Sequence, residues 1–119
     1  MKLEIRTQFE ISEEQIEDLL HTAFCEIGYW CDAEYIGEPL GEYMAEHVAR
    51  GGKLLIMDNE SNDEWVLTRD KVLNGISKYV LEFGMDNLMC GSEFEPSYAD
   101  AEAADCIIQY GLFDEIVFG

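Results

Sequence analysis

Few side chains in this sequence are placed for chemistry. His21 and Cys25 stand four residues apart, and Cys31 follows closely. That spacing puts the first two on one side of a helix, and zinc accepts imidazole and thiolate ligands. A full tetrahedral set would have to draw on Cys90 or Cys106, far along the chain, and there is no Cys-x-x-Cys pair. The plainer reading makes Cys25 and Cys106 small core residues and leaves His21 on a polar helix face. Cys31 could be a nucleophile with His21 or His47 as its base. However, Glu26, Asp32 and Glu34 lie close in sequence and oppose a thiolate. Residues 58–64, Asp-Asn-Glu-Ser-Asn-Asp-Glu, carry acids suited to calcium but lack the sixth-position glycine and the later bidentate acid of an EF-hand. A hairpin turn explains them better. Among 26 acidic residues, neighbouring carboxylates arise by chance, so no acid–base pair stands out. No phosphate loop, dinucleotide glycine pattern or Ser-His-Asp order is present. No catalytic residue, metal ligand or cofactor is assigned, and the chain is expected not to be an enzyme.

Charge is the more informative feature. The 119 residues carry seven basic against 26 acidic side chains, a net −19. Residues 7–49 hold eleven acids and residues 79–119 nine, with no Lys or Arg in either stretch. Residues 50–78 are balanced, five of each sign. Such a surface repels nucleic acid and anionic membranes and attracts basic proteins. Solubility needs only a few units of charge in a small domain. No apolar run approaches the ~20 residues of a membrane helix, and residues 1–10 lack the apolar core of a signal peptide. Four cysteines without paired spacing fit reduced thiols in a cytoplasm.

The elements that must present these side chains can be read from periodicity. Residues 2–11 alternate as a strand, with Leu3, Ile5, Thr7, Phe9 and Ile11 on one face. Ser12-Glu13-Glu14-Gln15 is a capping box. It opens a helix with Ile16, Leu19, Leu20, Ala23, Phe24 and Ile27 inward and Gly28 as its stop. Residues 32–36 form a short strand. Residues 40–49 read as a second helix, with Leu40, Tyr43, Met44 and Val48 inward and Glu42 and Glu46 outward. Residues 53–58 and 64–68 are the arms of a hairpin. Thr68 caps a third helix running to Phe83, with Val72, Leu73, Ile76, Val80 and Phe83 inward. Residues 85–97 read as loop, residues 98–112 as a last helix and residues 115–118 as a closing strand. The fold class is α+β: one domain over residues 1–119, a small, mostly antiparallel sheet with about four helices packed on it.

Tyr29-Trp30 sits at a helix–strand junction and has two readings. The pair either plugs the core or forms an exposed anchor, since both residue types are enriched at interface hot spots.

Tyr29-Trp30-Cys31, the run G-E-P-L-G-E-Y-M-A-E-H-V-A over residues 37–49 with Arg50-Gly51-Gly52, Asn74-Gly75-Ile76, and A-D-C-I-I-Q-Y-G-L-F over residues 104–113 together resemble one family. It comprises small acidic proteins encoded by phages, prophages and conjugative elements of Gram-positive bacteria. The resemblance covers nearly the whole chain and carries over no catalytic residue. It implies a host bacterial cytoplasm during phage or mobile-element activity, where small acidic proteins often inhibit host defence as DNA mimics. The leading expectation is therefore an inhibitor whose acidic surface binds a basic nucleic-acid-binding protein of the host, such as a CRISPR or restriction nuclease. The expected contacts are Glu13, Glu14, Glu17 and Asp18, then Glu34, Glu38, Glu42 and Glu46, with Tyr29 and Trp30 as anchors. The alternative is a module that sequesters a small molecule or nucleotide signal, for which Arg50, Lys53, Arg69, Lys71 and Lys78 would have to converge. A homodimer would have to bury neutral surface between two bodies of like charge.

Overall fold

The computed structural model describes residues 9–119. Most of the strand expected over residues 2–11 lies outside them, and residues 9–11 take no regular structure. Helix α1, Glu13–Glu26, opens on the expected capping box. The Ser12 hydroxyl accepts from the Gln15 N–H at 3.1 Å, and the Gln15 side chain accepts from the Ser12 N–H at 2.8 Å. Gly28 does not stop the helix cleanly; the chain tightens through a 3-10 turn, Ile27–Tyr29.

Strand β1, Cys31–Ile36, is followed by a loop over residues 37–43 and a short helix α2, Met44–Ala49. The second helix is shorter than periodicity implied, because Gly37 and Gly41 turn the chain at positive φ and Tyr43 is extended. Leu40 and Tyr43, expected inward, are exposed as a result. His47 replaces them as the organising residue. Its buried ring accepts the Leu40 N–H at Nδ1 (3.0 Å) and donates from Nε2 to the Lys53 carbonyl (2.9 Å), which defines a neutral Nε2–H tautomer. Gly52 makes room for it: a Cβ there would stand 2.4 Å from the ring.

Strands β2, Lys53–Asp58, and β3, Glu64–Leu67, form the hairpin. Asp58 accepts the N–H groups of Glu60 and Ser61 in the turn. Those bonds hold its carboxyl below the usual range. The sheet order is β1-β2-β3, all antiparallel. Helix α3, Arg69–Phe83, is capped by Thr68 and ends at Gly84, as expected, but Phe83 is exposed. The stretch read as loop holds a small hairpin, β4 (Met89–Cys90) and β5 (Glu93–Phe94), and a 3-10 turn, Pro96–Tyr98. Helix α4, Ala101–Phe113, starts later than expected because the Asp100 side chain caps it at the Ala103 N–H. The tail is no strand: the Val117 and Phe118 N–H groups both donate to the side-chain oxygen of Gln109.

The helices cover one face of the sheet. Leu54, Ile56 and Leu67 point into the core with α4 at its centre. The other face, Asp32, Glu34, Lys53 and Glu64 around Leu55, Met57 and Val66, is more open.

Helices α3 and α4 touch backbone to backbone. A Cβ on Gly75 would lie 2.1 Å from the Ile107 carbonyl oxygen, and one on Gly111 2.4 Å from that of Lys71. Neither backbone can yield without parting the helices. Gly75→Ala and Gly111→Ala should each destabilise by about 2–3 kcal/mol, roughly a 10 °C fall in melting temperature. Gly28→Ala, whose Cβ meets nothing within 4 Å, should change the melting temperature little. Thermal unfolding of the three variants checks the crossing.

Candidate protein-binding surface

The acidic residues on α1 diverge to two flanks. Glu13 and Glu17 face α2. Arg50 lies 3.6 Å from Glu13 and 2.9 Å from Glu46, and Glu17 lies 3.5 Å from His21. The His21 ring meets Tyr43 edge-on at 5.6 Å. On the other flank, Glu14 and Asp18 line an open depression of about 490 Å³ with Glu95, Ser97 and Tyr98. Hydrogen bonds from Ser97, then Gln15, hold the Glu95 carboxyl below its usual range. Glu95 and Tyr98 were not among the expected contacts. They join Glu14 and Asp18 through a turn that nothing in the local sequence pairs with α1.

The remaining expected carboxylates are scattered. Glu34 sits on the open sheet face, while Glu38 and Glu42 are exposed in the loop over residues 37–43. Glu46, expected outward, turns back instead. Its carboxylate accepts from Arg50 and from the Glu42 N–H, and its side chain is only 15 % exposed. The acids thus surround the molecule rather than forming one face.

The aromatic pair splits. Trp30 is buried and unavailable as a surface anchor. Its ring stacks on Phe118 at 4.6 Å and meets Trp65 and Phe113, and its indole N–H donates to Asp105 Oδ1 at 3.0 Å. Tyr29 exposes half its surface, but its hydroxyl donates to Asp105 Oδ2 at 2.5 Å. Gln109, wholly buried, adds a third donor to Asp105 at 2.9 Å. Partial burial, then the bond to Asp105, pushes the Tyr29 phenol far above its ordinary value.

Cys31 is buried, with its thiol against the Ile27 carbonyl. Burial, then the charge of Asp105, pushes its pKa up to about 12, so it is a thiol and not a thiolate at neutral pH. Both histidines are engaged elsewhere, His21 at Glu17 and Tyr43 and His47 at Leu40 and Lys53. Cys25, read as a core residue, is exposed, and Cys106 is half-buried. Among the described residues, no group of three or more His, Cys, Asp or Glu is placed to hold a metal, and no helix is long and apolar enough to cross a membrane.

Most of the basic residues are engaged in internal contacts. Arg50 pairs with Glu13 and Glu46, Arg69 donates to the Ala49 carbonyl, Lys71 donates to the Val66 carbonyl, and Lys78 lies 3.5 Å from Glu82. A groove of about 590 Å³ between α3, Phe9 and Phe94 is mainly apolar, with Glu10 at its side and no Lys or Arg among the described residues that line it.

No family model, curated protein or solved structure matches this chain.

Two outcomes follow from the buried groups. A folded-state pKa raised above the unfolded value stabilises fully below the unfolded pKa and is lost as pH rises through the folded one. The Cys31 contribution should therefore be complete below about pH 9 and fade towards pH 12. Urea unfolding across that window should show a falling midpoint, with a shallower slope in Cys31→Ala; equal slopes would uncouple the thiol from folding. Asp105→Ala strands the Trp30 and Gln109 donors and should cost about 3 kcal/mol. Asp105→Asn, which keeps an acceptor, should cost visibly less in the same assay.

Proposed function

We propose that the protein acts by binding. Its acidic surface occupies the basic groove of a nucleic-acid-binding protein and keeps nucleic acid out. The setting implied by the family resemblance, phage or mobile-element activity in a host bacterial cytoplasm, favours a defence nuclease of the CRISPR or restriction type as the target. The protein's role is then that of an inhibitor, without catalysis.

One observation carries this reading: dense, nearly uncompensated negative charge on a long, narrow body. The molecule measures 48 × 29 × 22 Å and carries −19. That is about one charge per 2.5 Å of its length, against about one per 1.7 Å for duplex DNA. Arg50 and Lys78 already lie against Glu13, Glu46 and Glu82, and the exposed carboxylates of Glu14, Asp18, Glu34, Glu38 and Glu42 stand outside those pairs.

The test is capture of a nucleic-acid-binding protein from host lysate by the tagged protein, eluted in a salt gradient. A short DNA duplex should release the captured protein competitively. Reversing Glu14, Asp18, Glu34, Glu38 and Glu42 together to Lys should weaken capture at least a hundredfold. Any one of these changes should matter less than about fivefold, since a single exposed pair contributes ~0–1 kcal/mol. Capture that survives the fivefold reversal, or that duplex DNA does not compete, sinks the mimicry.

A further inference from the structure

Among the described residues β1 is one of the two edge strands of the sheet, and the phase of its ladder can be fixed. The Asn59 N–H donates to the Trp30 carbonyl at 3.0 Å, one pair beyond Cys31↔Asp58. Antiparallel pairs are bonded alternately. Asp32, Glu34 and Ile36 therefore turn their backbone groups to β2, while Cys31, Ala33 and Tyr35 turn theirs away. The same phase holds on the other side of β2, where the Asp58 N–H donates to the Asp63 carbonyl. Cys31 is buried; Ala33 and Tyr35 are partly buried against the core, and their outward N–H and C=O groups have no protein partner among the described residues. An unpaired edge of this kind is a template for another strand.

Beside this edge lies a mainly apolar slot of about 230 Å³, lined by Phe24, Ile27, Gly28, Cys31, Ala33 and Met44 together with Asp32. It falls below the roughly 300–1,000 Å³ of small-molecule pockets and suits an apolar side chain. A strand added to β1 would alternate its side chains. One set would lie on the side of Ala33 and the slot. The other would lie on the open sheet face beside Asp32 and Glu34, where opposite charges attract across strands.

We propose that the β1 edge takes an extended segment of a basic partner as a fourth strand, apolar residues towards the slot alternating with Lys or Arg towards Asp32 and Glu34. The proposal rests on the reading of this protein as a binder of basic proteins, and names how it would grip one. Charge argues against a second copy in the same place. Two antiparallel β1 strands centred on Ala33 would set Asp32 against Glu34, and centred on Glu34 would set Glu34 against itself.

The probes are eight-residue peptides of alternating lysine and leucine, a twin N-methylated on the edge-facing residues, and a twin with glutamate for lysine. Fluorescence anisotropy measures affinity, and amide hydrogen exchange locates the site. The lysine peptide should bind and slow exchange at Ala33 and Tyr35. The N-methylated twin should bind at least tenfold more weakly, and the glutamate twin should not bind. Ala33→Pro removes an outward N–H and no β1–β2 bond, and should lose at least tenfold. Gly28→Leu crowds the slot where an added Cβ meets nothing within 4 Å. It should lose a similar amount and keeps the test open if the proline variant does not fold. Glu14→Lys with Asp18→Lys should leave the protection of Ala33 and Tyr35 in place. Equal binding of the N-methylated twin, or no protection at Ala33 and Tyr35 while a basic target is still captured, would overturn the edge and leave the acidic-surface reading standing. A concentration-dependent dimer abolished by Ala33→Pro would assign the edge to a second copy and overturn the proposal.

Discussion

The carboxylate of Asp105 sits almost wholly inside the molecule, on the helix at the centre of the core. A buried carboxylate is tolerable only if donors surround it. Here Tyr29, Trp30 and Gln109 supply three, from the end of α1, the entry to β1 and the next turn of α4. Gln109 uses its remaining capacity on the tail, accepting from Val117 and Phe118 and donating to the Phe118 carbonyl. No buried side-chain polar atom is left without a partner among the described residues. One charge thus ties α1, the sheet and the carboxyl-terminal segment to α4. It also explains why Trp30 turns inward, since its ring packs among Phe113, Phe118 and Trp65 only when its N–H has an acceptor.

Two further close fits depend on that arrangement. Gly75 and Gly111 let α3 lie against α4 with backbones in contact, which brings Val72 and Ile76 onto the core. Gly52 lets the His47 ring bridge the loop before α2 to the start of β2. The strand order, with β2 between its neighbours, places β1 at one margin of the sheet among the described residues.

Much of this was legible in the residues. The capping box at Ser12, the stripe from Ile16 to Ala23, the hairpin turn near Asn59 and the Thr68-to-Gly84 helix all rest on local chemistry, and all are present. The misreadings have long-range causes. Leu40 and Tyr43 fit helical spacing, yet the glycines at 37 and 41 and the distant hold of His47 on Leu40 make that stretch a loop. Glu46 looked solvent-facing until Arg50 and the Glu42 N–H claimed it. Trp30 could not be assigned because its partner lies 75 residues away in Asp105. The acidic character of the surface was plain from composition, but its division among two flanks of α1, a loop and the open sheet face was not. Only packing decides which way each helix face turns.

That division bears on how such a protein would work. Carboxylates distributed around a 48 Å body make a field that is felt from many directions. At physiological salt that field reaches only about 8 Å beyond the surface. Within that range such a field would raise the rate of encounter with a basic partner and disfavour nucleic acid, but it would select poorly among basic partners. Discrimination needs a feature with direction and register. The outward N–H and C=O groups of Ala33 and Tyr35, set beside a slot for one apolar side chain and a pair of acids two residues apart, have both. Charge would bring basic proteins near, and the edge would hold those with a strand to offer, so affinity and selectivity would reside in different parts of the same surface.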